Sequence, residues 1–310
     1  MPVPARSANF SDLLDPRFQK IFDDTYTQLP DRLGEFFVMK GGGDFQTTAD
    51  ARYSQVGTLP DIPEFTGSVT YLDNAQGYDV TITYKEYAGG FQIERKLYDD
   101  DHYGVMDAKP RGLSRSFQRT RQKQGAQIWN NAFGLDTTWL NHSEGVALCS
   151  DAHTTTSGAS TASGFDNLST ASLTAVALQA GRVVMRNFRG DQAERISVIP
   201  NLIVVPPDLE GAAWEIVNSQ GKPEESTNTA NISYKRYTVA DWEYLTDANN
   251  WFLVDSSMMK SEEGHVWIDR IPSEFAMVED FDSLIGKWRL YARYAMGWVN
   301  WRHVLGHQVG

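Results

Sequence analysis

Cysteine is nearly missing from this sequence: Cys149 is the only one in 310 residues. Without a second thiol an internal disulfide is excluded, and the composition suits a reducing compartment. Long apolar runs are missing too; none approaches the roughly 20 residues that a membrane-spanning helix needs. Residues 1–6 carry no hydrophobic stretch, so no secretory signal is expected. Positive charge is scarce, with 28 Lys and Arg against 40 Asp and Glu and a formal net charge of -12. That balance opposes sequence-independent nucleic-acid binding, which rests on neutralising phosphates, and it favours solubility.

What remains is enough apolar material, 41% of residues, for one large domain or two to three small ones. Aromatic residues make up 12%, including 9 Trp and 13 Tyr. A large aromatic core and aromatic-rich interfaces both explain that count, and composition does not choose between them.

Residues 45–101 read as a long extended ribbon with too few apolar side chains for a core of its own. Strand signals fall at 69–72 and at 80–84, where Val80, Ile82 and Tyr84 alternate; Gly77 lies in the turn between them. Pro60 and Pro63 confine the preceding stretch to an edge or a loop. A two-stranded ribbon is marginal alone in water, so this one is expected to find its burial on another molecule. Ahead of it, Gly41, Gly42 and Gly43 read as a hinge or as a plain surface turn. Earlier still, Phe10, Leu13, Leu14, Phe18, Ile21 and Phe22 recur at helical intervals, with Ser11 a candidate cap and Pro30 beyond the end. Such a short amphipathic helix needs something to dock on.

The clearest helix is predicted over 110–133, with Gly134 as its stop. Leu113, Phe117, Gln124 and Ile128 share one side, with Trp129 adjacent. Arg111, Arg115, Arg119 and Lys123 recur every fourth residue as a basic stripe. The stripe is either a solvated face paired with acidic neighbours or a surface turned to nucleic acid or a sister subunit. Residues 150–166, rich in Ser, Thr, Gly and Ala, read as a mobile surface loop.

A second helix is predicted after Ser169 as N-cap, with Leu168 and Leu173 as a hydrophobic staple. Leu173, Val176, Ala177, Ala180 and Val184 are its expected buried side and Gly190 its close. Ile203, Val204 and Val205 form a buried strand ended by Pro206 and Pro207, after which Asp208 caps a short helix through Val217. This alternation makes 168–283 a compact α/β subdomain, with an exposed polar loop at 219–230. From 287 to 304, Trp288, Leu290, Ala292, Tyr294, Met296 and Trp298 alternate with Lys287, Arg289 and Arg293. That period-two run exceeds the usual ~5–6 residue strand and is long enough to tie two subdomains into one sheet.

Chemistry is thinly supported. Cys149, Asp151 and His153 suggest a nucleophile and base, hence a cysteine-dependent hydrolase, but their loop lacks the rigid support such a site needs. His303 and His307 have zinc-ligand spacing, yet Val304 stands where a metalloprotease carries Glu, and the segment reads as a strand. Asp99, Asp100, Asp101 and His102 are acidic enough for a cation but lack EF-hand spacing. The glycine run has no Lys-Ser/Thr ending for a phosphate. No catalytic residue, cofactor or metal site is expected, and a nucleic-acid-binding module using the basic stripe is the other alternative.

Five stretches carry a family resemblance: 91–101 (FQIERKLYDDD), 126–133 (AQIWNNAF), 145–153 (GVALCSDAH), 202–210 (LIVVPPDLE) and 244–253 (YLTDANNWFL). In this order and spacing they resemble the tailed-bacteriophage major capsid proteins with the HK97-like fold, and among these the Mu-like major head subunits. The resemblance implies an α+β chain divided into an N-terminal arm (1–39), an extended loop (40–98) and a peripheral domain (99–174) with a spine helix at 110–133. An axial domain (175–284) and a C-terminal strand (285–310) complete it. It further implies pentamers and hexamers of an icosahedral or prolate shell around double-stranded DNA, assembled in the host bacterial cytoplasm. Only a short segment precedes the ribbon, so a separate scaffolding protein is expected. A portal protein, a decoration protein and weak contact with packaged DNA are the other partners implied. Some family members crosslink through a lysine of the extended loop; Lys85 lies in that segment, but no local motif supports the chemistry.

Overall fold

Helix-spaced apolar residues open the chain with α1 (Ser11–Gln28), followed by the short α2 (Leu33–Phe36) and β1 (Val38–Gly41). β2 (Asp50–Val56), β3 (Gln76–Thr83) and β4 (Lys85–Glu94) flank an irregular stretch at 57–75, and α3 (Arg95–Asp99) leads into the long α4 (Ala108–Asn130). Next come β5 (Leu140–His142), β6 (Leu168–Ser169), α5 (Ala175–Arg186), β7 (Leu202–Val205), α6 (Pro207–Asn218), β8 (Thr238–Asp241), β9 (Trp251–Val254) and α7 (Ser256–Met259). β10 (His265–Glu279), β11 (Ile285–Trp298) and β12 (Val304–His307) complete the order. The structure, a computed structural model, describes residues 11–41, 49–100, 104–221, 229–280 and 282–310. Phe10, Gly42, Gly43, Asp101, His102 and 222–228 of the polar loop lie outside the described residues, as do the side chains of Ser11, Leu13, Leu14 and Asp99.

The strands form three sheets, ordered β1-β10-β11-β4, β6-β12-β9-β7-β8 and β2-β3-β5. β11 is the long alternating strand, antiparallel to β10 from Trp298 opposite His265 to Gly286 opposite Glu279. Its other edge takes β4, from Tyr294 opposite Lys85 to Ile285 opposite Glu94. It stops at Trp298, short of the expected 304. A turn intervenes, closed by Val304 N–H on Trp301 O and Asn300 N–H on Glu263 O, and β12 restarts in the five-stranded sheet. The chain thus links two sheets instead of fusing them into one.

Aromatic residues mostly build the core. Eight of the nine Trp are buried; Trp214 alone is exposed, at 60%. Phe36 stacks on Trp242 at 4.6 Å between centroids, and Trp129 lies 4.9 Å from Phe252. α4 runs through this core with no room for a side chain at Gly125, where a Cβ would meet Leu33 Cδ2 at 2.4 Å. Its buried face is richer in polar groups than expected, and each reaches a neighbour. Ser114 donates to Phe22 O at 3.3 Å, Gln118 to Pro30 O at 3.1 Å and Gln122 to Asp31 at 3.0 Å. α1 therefore docks on its own chain, with Phe18 against Trp288 and Phe22 stacked on Phe275.

Several local expectations change. Residues 69–72 form no strand. The base of the ribbon is sheltered by its own chain: Ala51, Val80 and Ile82 are fully buried and β4 is paired along β11. α4 ends at Asn130, three residues early, because Ala132 N–H turns back to Trp129 O. Thr174, not Ser169, caps α5 by accepting from Ala177 N–H, since Ser169 is drawn into β6 beside β12. α5 ends at Arg186 and is turned from the expected orientation. It buries Ala175, Ala177, Leu178, Gly181 and Met185, while Val176, Ala180 and Val184 face outward. α6 begins behind Pro206 with Pro207 in its first turn, so Asp208 sits inside the helix and does not cap it.

Candidate assembly surfaces

The ribbon closes on itself above its sheet. Gly57 N–H donates to Ala75 O at 2.9 Å, and a Cβ at Gly57 would lie 2.6 Å from that oxygen, so the neck needs glycine. Beyond it, Leu59, Ile62, Phe65, Val69 and Tyr71 are between 54% and 92% exposed. Five large apolar side chains are thus exposed within one short stretch, a density well above that of singly scattered surface residues.

The neck is fastened. Asp191 N–H donates to Thr58 Oγ1 at 2.9 Å, and Thr58 N–H reaches Asp191 Oδ2 at 3.4 Å. Arg302, only 5% exposed, holds Asp191 Oδ1 at 2.9 Å and donates to Arg189 O at 2.7 Å. From the other side Thr156 donates to Gln76 O at 2.7 Å, and Tyr78 Oη lies 2.6 Å from Thr154 Oγ1. The Ser/Thr-rich loop is therefore structural. It lies on the surface, as expected, while burying His153 and Phe165 and supporting the neck. Nothing in its composition signals this, because the partners lie about 80 residues away.

On α4, Arg111, Arg115, Arg119 and Lys123 are all exposed, and among the described residues none forms an ion pair or hydrogen bond. Among the described residues no acidic side chain pairs with them. A fifth cation, Arg121, has the opposite fate. It is 5% exposed, bonded to Asp269 at 3.0 Å, and lies over the rings of Trp267 and Tyr294. Its position four residues after Phe117, on the apolar side, was the available signal. Gly41 is the last residue of β1, opposite Asp269, with open space around its Cα and no positive φ.

The candidate chemistry is not assembled. Cys149 is 2% exposed, and burial pushes its thiol up. His153 commits Nδ1 to Glu144 at 3.1 Å and Nε2 to Leu148 O at 3.4 Å, with its ring stacked on Trp301. No hydrogen bond joins it to Cys149 among the described residues. His303 and His307 also part company: His303 Nε2 lies 2.8 Å from His265 Nε2, whereas His307 stacks on Trp251 at 3.6 Å. Among the described residues no group of three or more His, Cys, Asp or Glu could hold a metal. No helix there is long and apolar enough to cross a membrane.

The profile of the phage capsid protein family matches residues 77–306. Among solved structures, the mature capsid of bacteriophage PhiM1 aligns with a TM-score of 0.57 at 11% identity, over 91% of this chain and 88% of that one. The bacteriophage JBD30 capsid aligns at 0.53 and 17% identity, over 79% of this chain and 100% of that one. An encapsulin complex from Synechococcus elongatus aligns at 0.51 and 9% identity, over 91% and 89%. Identities this low speak for the fold alone, which is the α+β, HK97-like capsid fold. No curated protein sequence matches the chain.

Proposed function

We propose, from the premise that this chain belongs to the phage capsid protein family, a shell subunit whose lobe at 58–74 is its main reach toward neighbouring copies. The chain is a structural capsid protein, and its finer organisation follows as our reading. The arm, extended loop, peripheral domain, axial domain and C-terminal strand divide it as the resemblance implies. Copies gather into pentamers and hexamers of an icosahedral or prolate head around double-stranded DNA, in the host bacterial cytoplasm. A separate scaffolding protein, a portal protein and a decoration protein are the partners of that reading, and the subunit itself catalyses nothing. Slightly different angles between parts of the chain let identical copies occupy different positions in the lattice.

One observation carries this reading: five large apolar side chains exposed beyond a neck that the subunit itself fastens. Burying a Phe or Tyr side chain stabilises by roughly 1.5–3 kcal/mol, so a neighbour covering the lobe gains several such increments. The test is negative-stain microscopy of purified or co-expressed protein, beside a Phe65→Asp/Tyr71→Asp variant. Wild type should form shells, and the variant should remain folded but unassembled. Monodisperse monomers of wild type under every assembly condition would sink the proposal, and so would shells formed equally well by the variant.

A further inference from the structure

α5 and α6 leave unlike faces open. On α5, Val176, Ala180 and Val183 follow one another at helical spacing, and Val176 and Val183 are 68% and 61% exposed. The helix carries two cations, Arg182 and Arg186, and no acid. On α6 the exposed Trp214 stands four residues after Glu210 and beside Glu215; the helix has three acids and no base. Among the described residues none of these charged groups forms an ion pair. Helix-dipole preferences account for Glu210 in a first turn and Arg186 in a last turn. They do not account for Arg182, Glu215 or the bare valines and tryptophan.

We infer that α5 of one copy packs on α6 of a neighbouring copy, with Trp214 on the Val176–Val183 stripe and Arg186 facing Glu210. The inference rests on the self-assembly reading and specifies one of its contacts. An antiparallel crossing fits the spacing. Val183 stands about 4.5 Å before Arg186 along its axis and Trp214 about 6 Å after Glu210, from the helical rise. Aligning Arg186 with Glu210, each on the same flank of its apolar face, therefore brings Val183 close to Trp214. A Trp anchor ringed by polar contacts is the usual make-up of a strong protein contact.

The test is a charge exchange. Arg186→Glu and Glu210→Arg should each lower the yield of particles roughly tenfold or more by placing like charges across the contact. Combining both changes in one chain should restore it. Far-ultraviolet circular dichroism confirms that these surface variants fold. In parallel, Val183→Cys and Trp214→Cys chains, mixed under a thiol oxidant, should give a disulfide-linked dimer. Particles unaffected by either reversal, no recovery in the combined variant, or particles without the linked dimer would each overturn the pairing. A linked dimer in a preparation that never forms particles would instead keep the pairing and sink the shell reading.

Discussion

Arg121 of α4 donates to Asp269 of β10 at 3.0 Å, its guanidinium 5.1 Å from the centre of the Trp267 ring. This bond fastens α4 to the four-stranded sheet at a point where the Arg side chain is 6% exposed and the Asp side chain 23%. Breaking it from one side strands the other charge. Arg121→Ala should lower stability by about 3 kcal/mol, while Arg121→Ala/Asp269→Asn should lose less than the two single changes added together. Denaturant titration of the three variants measures this coupling, and simple additivity would show that the pair does not act as one unit.

The His265–His303 pair predicts a pH dependence. Burial pushes the His303 imidazole down to about 4 and that of His265 well below its ordinary value. Once unfolded, both titrate near 6.5. The unfolded chain therefore binds more protons between these values, so the pair's contribution is complete above pH 6.5 and declines as pH falls toward 4. His303 alone accounts for something on the order of 3 kcal/mol. Melting curves across pH 4–7 should show a shallower fall for His303→Gln than for wild type. Equal slopes would refute the assignment.

Gly125 and Gly134 test the packing of α4. At Gly125 a methyl group meets Leu33 and Trp242, whereas at Gly134 nothing lies within 4 Å. Gly125→Ala should cost about 1–3 kcal/mol through overpacking, and Gly134→Ala should stay within about 0.5 kcal/mol. Thermal melts of both variants separate a close helix crossing from a general need for glycine.

The stripe of Arg111, Arg115, Arg119 and Lys123, which forms no ion pair among the described residues, distinguishes two neighbours. If it faces packaged DNA, changing all four to Gln should leave shell formation intact and flatten the salt dependence of DNA affinity. Spoiled assembly with unchanged DNA affinity would assign the stripe to a subunit contact instead.

Much of the fold was legible because periodicity reports directly on burial. The spine helix, β7 and the alternation of β11 all follow from the spacing of apolar residues. α5 was misread because both of its sides are apolar: its spacing fits either face, and only the packing of Gly181 against Leu253 and Leu305 decides which is inward. The strand expected at 69–72 failed because β-branched and aromatic residues suit any apolar contact, including one outside the subunit. The clasp of Asp191, Thr58 and Arg302 was invisible because its members are more than 100 residues apart and none belongs to a motif.

The inner strand β12 has consequences for synthesis. It sits between β6 and β9, and both partners precede it in the chain. While the polypeptide is being made, β7, β8 and β9 can join as they emerge, but β6 has nothing to pair with until residues 304–307 leave the ribosome. Any product interrupted before Val304 carries a bare edge on β9. The last strand laid down is therefore the one that gives β6 its partner and closes the edge of β9.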